Sequence, residues 1–135
     1  REVAASTPGA SIQLQLPDSL PPVRADAVVL RRILENLASN AVDALAGTTG
    51  SIVMGAEPLG DGVDGRVRIT VADTGRGMTR QQLDRVFDDF YTTKTAGTGL
   101  GLSVVRRLVA DLGGSVKVET APGQGSTFML EIPIA

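Results

Sequence analysis

Apolar and polar residues alternate along Ser11-Ile12-Gln13-Leu14-Gln15-Leu16, the period of a half-buried strand. The same alternation runs through residues 66–73, where Val67, Ile69 and Val71 share a face, and through 115–120 and 127–132. Residues 51–57 are also strand-like, and the turn Pro58-Leu59-Gly60-Asp61-Gly62-Val63-Asp64-Gly65 makes them a hairpin with 66–73. Ala121-Pro122-Gly123-Gln124-Gly125-Ser126 is a second turn of this kind. Elsewhere the period lengthens to that of a helix. From 26 to 46, Leu30, Ile33, Leu34, Leu37, Ala41 and Leu45 form one stripe, with Asp26 as N-cap and Gly47 as stop. Val104, Val105, Leu108, Val109 and Leu112 repeat helically from Gly99 to the stop at Gly113-Gly114, and 79–87 reads as a short helix capped by Thr79. Pro17, Pro21 and Pro22 interrupt regular structure. Residues 1–10 show no clear period and read as a connector from an upstream domain, which leaves 11–135 as one domain.

Composition narrows the chemistry. The chain has 135 residues, 42% hydrophobic and 21% charged, which suits a single globular domain. Its net charge of −2 argues against a general nucleic-acid-binding surface. It has no cysteine and no histidine, so thiolate chemistry and imidazole acid/base, ligand or phosphoacceptor roles are excluded within the chain. With three Phe, one Tyr and no Trp, it has little to offer as a stacking platform. No apolar run approaches the ~20 residues of a membrane span, and no signal peptide is visible. A chain that starts at Arg1 reads as a fragment of something longer.

Three stretches carry candidate chemistry. Gly97-Thr98-Gly99-Leu100-Gly101-Leu102 places glycines at alternate positions immediately before a helix, with Lys94 upstream. Unpaired N–H groups and the positive end of the helix dipole suit a phosphate there, although a plain linker has the same composition. On the long helix, Arg32, Asn36, Asn40 and Asp43 fall within about 80° of one another beside the apolar stripe. They are either a solvated shoulder or the polar wall of a cleft, in which Asn40 offers a neutral oxygen to a hard cation. Asp73-Thr74-Gly75-Arg76-Gly77 ends a strand with a carboxylate and two glycines, a pattern shared by ligand loops and ordinary strand exits. A calcium loop built on Asp61 and Asp64 fails on ligand spacing.

Taken in order, these segments closely resemble the catalytic ATP-binding domain of sensor histidine kinases. That domain belongs to the superfamily shared with DNA gyrase B, the MutL mismatch-repair ATPases and the heat-shock chaperone ATPases. The likeness runs from about Ser11 to Pro133. Leu34-Glu35-Asn36-Leu37-Ala38-Ser39-Asn40-Ala41-Val42-Asp43-Ala44 is similar to the kinases' asparagine box, and Asp73-Thr74-Gly75-Arg76-Gly77 to their first glycine box. Phe87-Asp88-Asp89-Phe90-Tyr91-Thr92-Thr93-Lys94 resembles the phenylalanine box of the nitrogen-regulator-like branch. Gly97 to Leu102 resembles the second glycine box, and Gly123-Gln124-Gly125-Ser126-Thr127 the last. The resemblance implies an α/β fold, a two-layer α/β sandwich of the Bergerat type, with a mixed, mostly antiparallel sheet and helices on one face.

It also implies roles. Asp73 would bond the adenine amino group, with Gly75 and Gly77 nearby and Thr127 assisting through water. Asn40 would hold Mg²⁺, with Asn36 and Asp43 beside the triphosphate and Lys94 offsetting its charge. Gly97, Thr98, Gly99, Leu100, Gly101 and Leu102 would cradle the phosphates, and residues 80–97 would form a lid and its hinge. The expected catalytic set is therefore Asn36, Asn40 and Lys94, and the expected ligands are ATP and Mg²⁺. Gyrase-like relatives carry a water-activating Glu four residues before the metal-binding Asn. Asn36 stands there in this chain, so efficient hydrolysis is not expected, while phosphoryl transfer needs mainly positioning and charge neutralisation. The phosphoacceptor would be a histidine on a dimerisation domain of the same parent, and a response regulator would act downstream. The isolated domain would be a cytoplasmic monomer, whether or not the parent is membrane-anchored. A serine kinase of the anti-sigma-factor type, or a nucleotide-binding module without transfer activity, are the alternatives.

Overall fold

In the computed structural model, the described residues are 2–7, 10–15, 23, 26–45, 50–60, 65–88 and 101–134. They form a six-stranded sheet and three helices. The strands are β1 (Glu2–Thr7), β2 (Ala10–Gln15), β3 (Gly50–Leu59), β4 (Arg66–Asp73), β5 (Ser115–Thr120) and β6 (Ser126–Pro133), in the order β1-β2-β3-β4-β6-β5. Only β2 and β3 run parallel; the other neighbours are antiparallel. The helices are α1 (Ala27–Leu45), α2 (Arg80–Arg85) and α3 (Gly101–Asp111).

The alternation in the strands decides which face is covered. Val67, Ile69 and Val71 of β4 and Phe128, Leu130 and Ile132 of β6 are buried together with Ile52 of β3. Onto this face pack Ile33, Leu37, Ala41 and Leu45 of α1 and Val105 and Val109 of α3, completing one core. The opposite face is polar: Arg68 on β4 reaches Glu57 on β3 and Glu131 on β6, each at 3.5 Å. The expected two-layer sandwich, with a mixed sheet and helices on one side, is the observed fold.

Local sequence fixes the helix ends. Asp26 caps α1, its carboxylate accepting the Val28 N–H at 2.8 Å. Thr79 and Gln82 form a reciprocal capping box at the start of α2. At the end of α3, Gly113 (φ 79°) donates to the Ala110 carbonyl and Gly114 to that of Val109, a Schellman closure that needs the left-handed residue glycine provides.

One expectation is corrected. Residues 2–7, read from the sequence as part of a connector, form the edge strand β1, with Glu2 opposite Gln15 and Thr7 opposite Ala10. Small side chains at Ala4, Ala5 and Ser6 give no apolar contrast, so a strand held by its backbone ladder leaves no period to read.

Candidate functional site

Asp73 is the last residue of β4, paired with Ile52 on one side and Ser126 on the other. Its register places it on the helix-covered face, and only 6% of its surface is exposed. Oδ1 accepts the Gly75 N–H at 2.9 Å. Oδ2 is buried and has no hydrogen-bond partner among the described residues. Burial raises the Asp73 pKa above the ordinary carboxylate value; the backbone N–H groups of Gly75 and Ser126 and the Arg76 guanidinium pull the other way without overcoming it. A buried acceptor left open in this way is costly unless something donates to it.

The loop after Asp73 is clamped on three sides. On the β3 side, Thr74 exchanges hydrogen bonds with Ser51: its N–H to the Ser51 carbonyl at 3.1 Å, and the Ser51 N–H to its Oγ1 at 3.0 Å. On the helix side, the Arg76 N–H donates to the Ala44 carbonyl at 3.1 Å, and its guanidinium reaches the Asp43 carbonyl at 3.4 Å. On the far side, the Gly123 N–H donates to the Arg76 carbonyl at 2.7 Å and the Met78 N–H to Thr120 Oγ1 at 3.0 Å. Two of the loop glycines are required by this packing. A Cβ on Gly75 would stand 2.4 Å from the Ala44 carbonyl oxygen. One on Gly77, at φ 66°, would meet the Ala121 carbonyl oxygen at 1.9 Å.

Docking the loop on Ala44 ties it to the polar stripe of α1. Asn40 precedes Ala44 by one helical turn and Asn36 by two, so all three lie along one side of the helix. Both asparagines are half-buried, whereas Asp43 is exposed. Arg76 thus joins the loop that carries Asp73, Gly75 and Gly77 to Asp43 and Ala44 at the end of α1, with Asn40 and Asn36 one and two turns further back along the helix. Gly101 and Leu102 open α3, which packs beside α1. An added Cβ at Gly101 would meet nothing within 4 Å among the described residues.

Thr127 is not brought to this site. It pairs with Ala72 and Glu119, and the alternation of β6 turns it to the opposite face of the sheet from Asp73. The hydroxyl on the Asp73 side belongs to its neighbour Ser126, which is 5% exposed. The signal was in the sequence: with Phe128, Leu130 and Ile132 inward, period two also sends residue 126 inward. Lys94, Gly97, Thr98, Gly99 and Leu100 lie outside the described residues, as does the half of the expected lid from 89 to 97. Phe87, at the start of the phenylalanine-box segment, packs edge-on against Phe128 at 6.5 Å, with the Arg106 guanidinium 5.7 Å from its ring centre. No group of three acidic, histidine or cysteine side chains able to hold a metal occurs among the described residues. The half-buried amide of Asn40 is a neutral oxygen donor suited to a hard cation that takes its remaining ligands from phosphate and water.

Residues 25–135 match the family model described as histidine kinase-, DNA gyrase B-, and HSP90-like ATPase. The chain belongs to that family. It is 43% identical over 112 residues to the sensor histidine kinase ZraS of Klebsiella oxytoca, covering 83% of this chain and 23% of the relative. It is 35% identical over 120 residues to the signal transduction histidine-protein kinase AtoS of Escherichia coli (strain K12), covering 89% of this chain and 19% of AtoS. Among solved structures, full-length ShkA in complex with AMPPNP superimposes with a TM-score of 0.77 at 40% identity, over 94% of this chain and 26% of ShkA. The catalytic domain of histidine kinase ThkA gives 0.76 at 32% identity, over 93% of this chain and 80% of that one. The fold described above is therefore that of histidine kinase catalytic domains, and the chain spans less than a quarter of the length of ZraS.

Proposed function

We propose that this chain is the ATP-binding catalytic domain of a two-component sensor histidine kinase. It binds Mg²⁺·ATP and presents the γ-phosphoryl group to a histidine on a separate dimerisation domain of its parent, from which a response regulator receives it. The observation that carries this reading is the open oxygen of Asp73. A buried carboxylate with one oxygen unpartnered asks for a donor, and the exocyclic amino group of adenine supplies one. ShkA, 40% identical, is described in complex with AMPPNP, an analogue of ATP, which supports the same ligand class here.

The other residues follow from that anchor. Asn40 would hold Mg²⁺, whose charge offsets that of the phosphates, and Asn36, one turn earlier, would lie beside them. The glycine at 101 would let the start of α3 approach a phosphate closely. Asn36 cannot take a proton from water at neutral pH, so the domain holds ATP rather than spending it on hydrolysis. With no histidine in the chain, the acceptor nitrogen must come from elsewhere. Among the described residues no helix is long and apolar enough to cross a membrane, and we place the domain in the cytoplasm, where ATP is available.

The test is radiolabelled ATP incubated with this domain, with and without the histidine-bearing dimerisation domain of its parent. Label on histidine only when both are present supports the reading. ATP bound but no label transferred in either case would reduce it to a nucleotide-binding module.

A further inference from the structure

Thr120, the last residue of β5, stands opposite Ser126, the first of β6. Its Oγ1 has three partners at bonding distance. It accepts the Met78 N–H at 3.0 Å, and it lies 2.9 Å from the Gly125 carbonyl oxygen and 2.9 Å from Ser126 Oγ. A hydroxyl has one proton to give. The Gly125 carbonyl only accepts, so the Thr120 proton is committed to it. In the remaining contact Ser126 must therefore be the donor, and its own proton points at Thr120. Ser126 Oγ keeps only acceptor lone pairs for anything else it touches. It is a cross-strand neighbour of Asp73 on the same side of the sheet, and Asp73 Oδ2 is also an open acceptor.

We propose that Thr120 is a positioning residue that holds the Ser126 hydroxyl proton away from the Asp73 site, so that this wall presents acceptors only and selects a purine bearing a 6-amino group over one bearing a 6-keto group. The proposal rests on the reading of Asp73 as the residue that meets the purine. An amino group donates to such a wall, while a keto oxygen meets acceptors with no proton between them, which is the costlier mismatch. Removing the Thr120 hydroxyl frees the Ser126 proton to turn toward the site and satisfy a keto oxygen. Serine at position 120 keeps the same proton assignment.

The experiment is calorimetric titration of the wild-type domain, Thr120→Val and Thr120→Ser with ATP and with inosine triphosphate, which carries the 6-keto group. The wild type and Thr120→Ser are expected to prefer ATP alike, and Thr120→Val to narrow that preference by about tenfold, the weight of one hydrogen bond. A brace for Met78 and Gly125, and nothing more, would weaken both nucleotides together and leave their ratio unchanged; that result overturns the proposal. If Thr120→Val lacks a cooperative melt, Ser126→Ala reads the same wall: a narrowed ratio supports the acceptor role, and an unchanged ratio overturns it. A wild type that binds ATP and inosine triphosphate equally would instead remove the reading of Asp73 itself.

Discussion

The backbone N–H of Arg76 donates to the carbonyl of Ala44 at 3.1 Å, fastening the loop after β4 to the last turn of α1. Two segments far apart in sequence thereby meet, the loop that follows Asp73 and the helix that carries Asn36 and Asn40, and the proposed function has both serve one nucleotide. Gly75 makes the contact possible, because any side chain there would strike the same carbonyl.

Gly75→Ala should therefore force the loop off α1. The obstacle is backbone, which cannot swing aside as a flexible side chain would, so a stability loss of about 1–3 kcal/mol is expected. Chemical denaturation would show it, and ATP affinity should fall with it, since Asp73 loses the N–H that orients Oδ1.

Asp73→Asn separates recognition from stability. The amide oxygen still accepts from Gly75, but the charged acceptor for the purine is gone. ATP affinity measured by calorimetry should drop roughly 10- to 100-fold, the range for losing a hydrogen bond to a charged group.

The same substitution has a pH signature. Burial raises the Asp73 pKa in the folded protein, so the folded state holds that proton more tightly than the unfolded state does. The stability associated with this group is fully present below the unfolded value of 3.8 and is lost as pH rises through the raised folded value. At neutral pH Asp73→Asn should be more stable than wild type toward urea. The gap should close as the solution is acidified through the folded pKa and vanish below 3.8. A gap that widens on acidification would contradict the burial of this carboxylate.

Much of this fold is legible in the chain because one face is apolar and the other is not. Alternation alone bounds strands at 66–73 and 115–120, and β4 and β5 have those bounds. The capped starts at Asp26 and Thr79 are equally readable, since each side chain bonds its own first turn. β1 is not legible because its small residues carry no pattern, and its pairing with β2 is a property of two segments together. For the site, the polar stripe of α1 and the carboxylate of Asp73 were visible, but their convergence depends on the Ala44–Arg76 contact, which no local pattern encodes. Thr127 is what the glycine motif implies for this site, whereas the period of β6 turns Ser126 to the Asp73 side.

The core makes a contrast on a single helix. Leu37 is fully buried between the helices and the sheet, and Leu37→Ala should cost about 2–5 kcal/mol. Val28 is 76% exposed near the start of α1, and Val28→Ala should change stability by no more than ~0.5 kcal/mol. Urea melts of the two variants side by side check both values.

Asn40→Ala should abolish the benefit of magnesium. In wild type, ATP should bind more tightly with Mg²⁺ than with a chelator present. In the variant, the two titrations should coincide, and an undiminished magnesium effect would remove Asn40 from the metal.

The account stands or falls on whether one nucleotide touches both Asp73 and Asn40, and a crystal structure of the domain with Mg²⁺ and AMPPNP tests this most directly. The expected result places the purine amino group at hydrogen-bond distance from Asp73 Oδ2 and the Asn40 amide oxygen on the metal. A purine bound away from Asp73, or a metal that Asn40 does not touch, would contradict it.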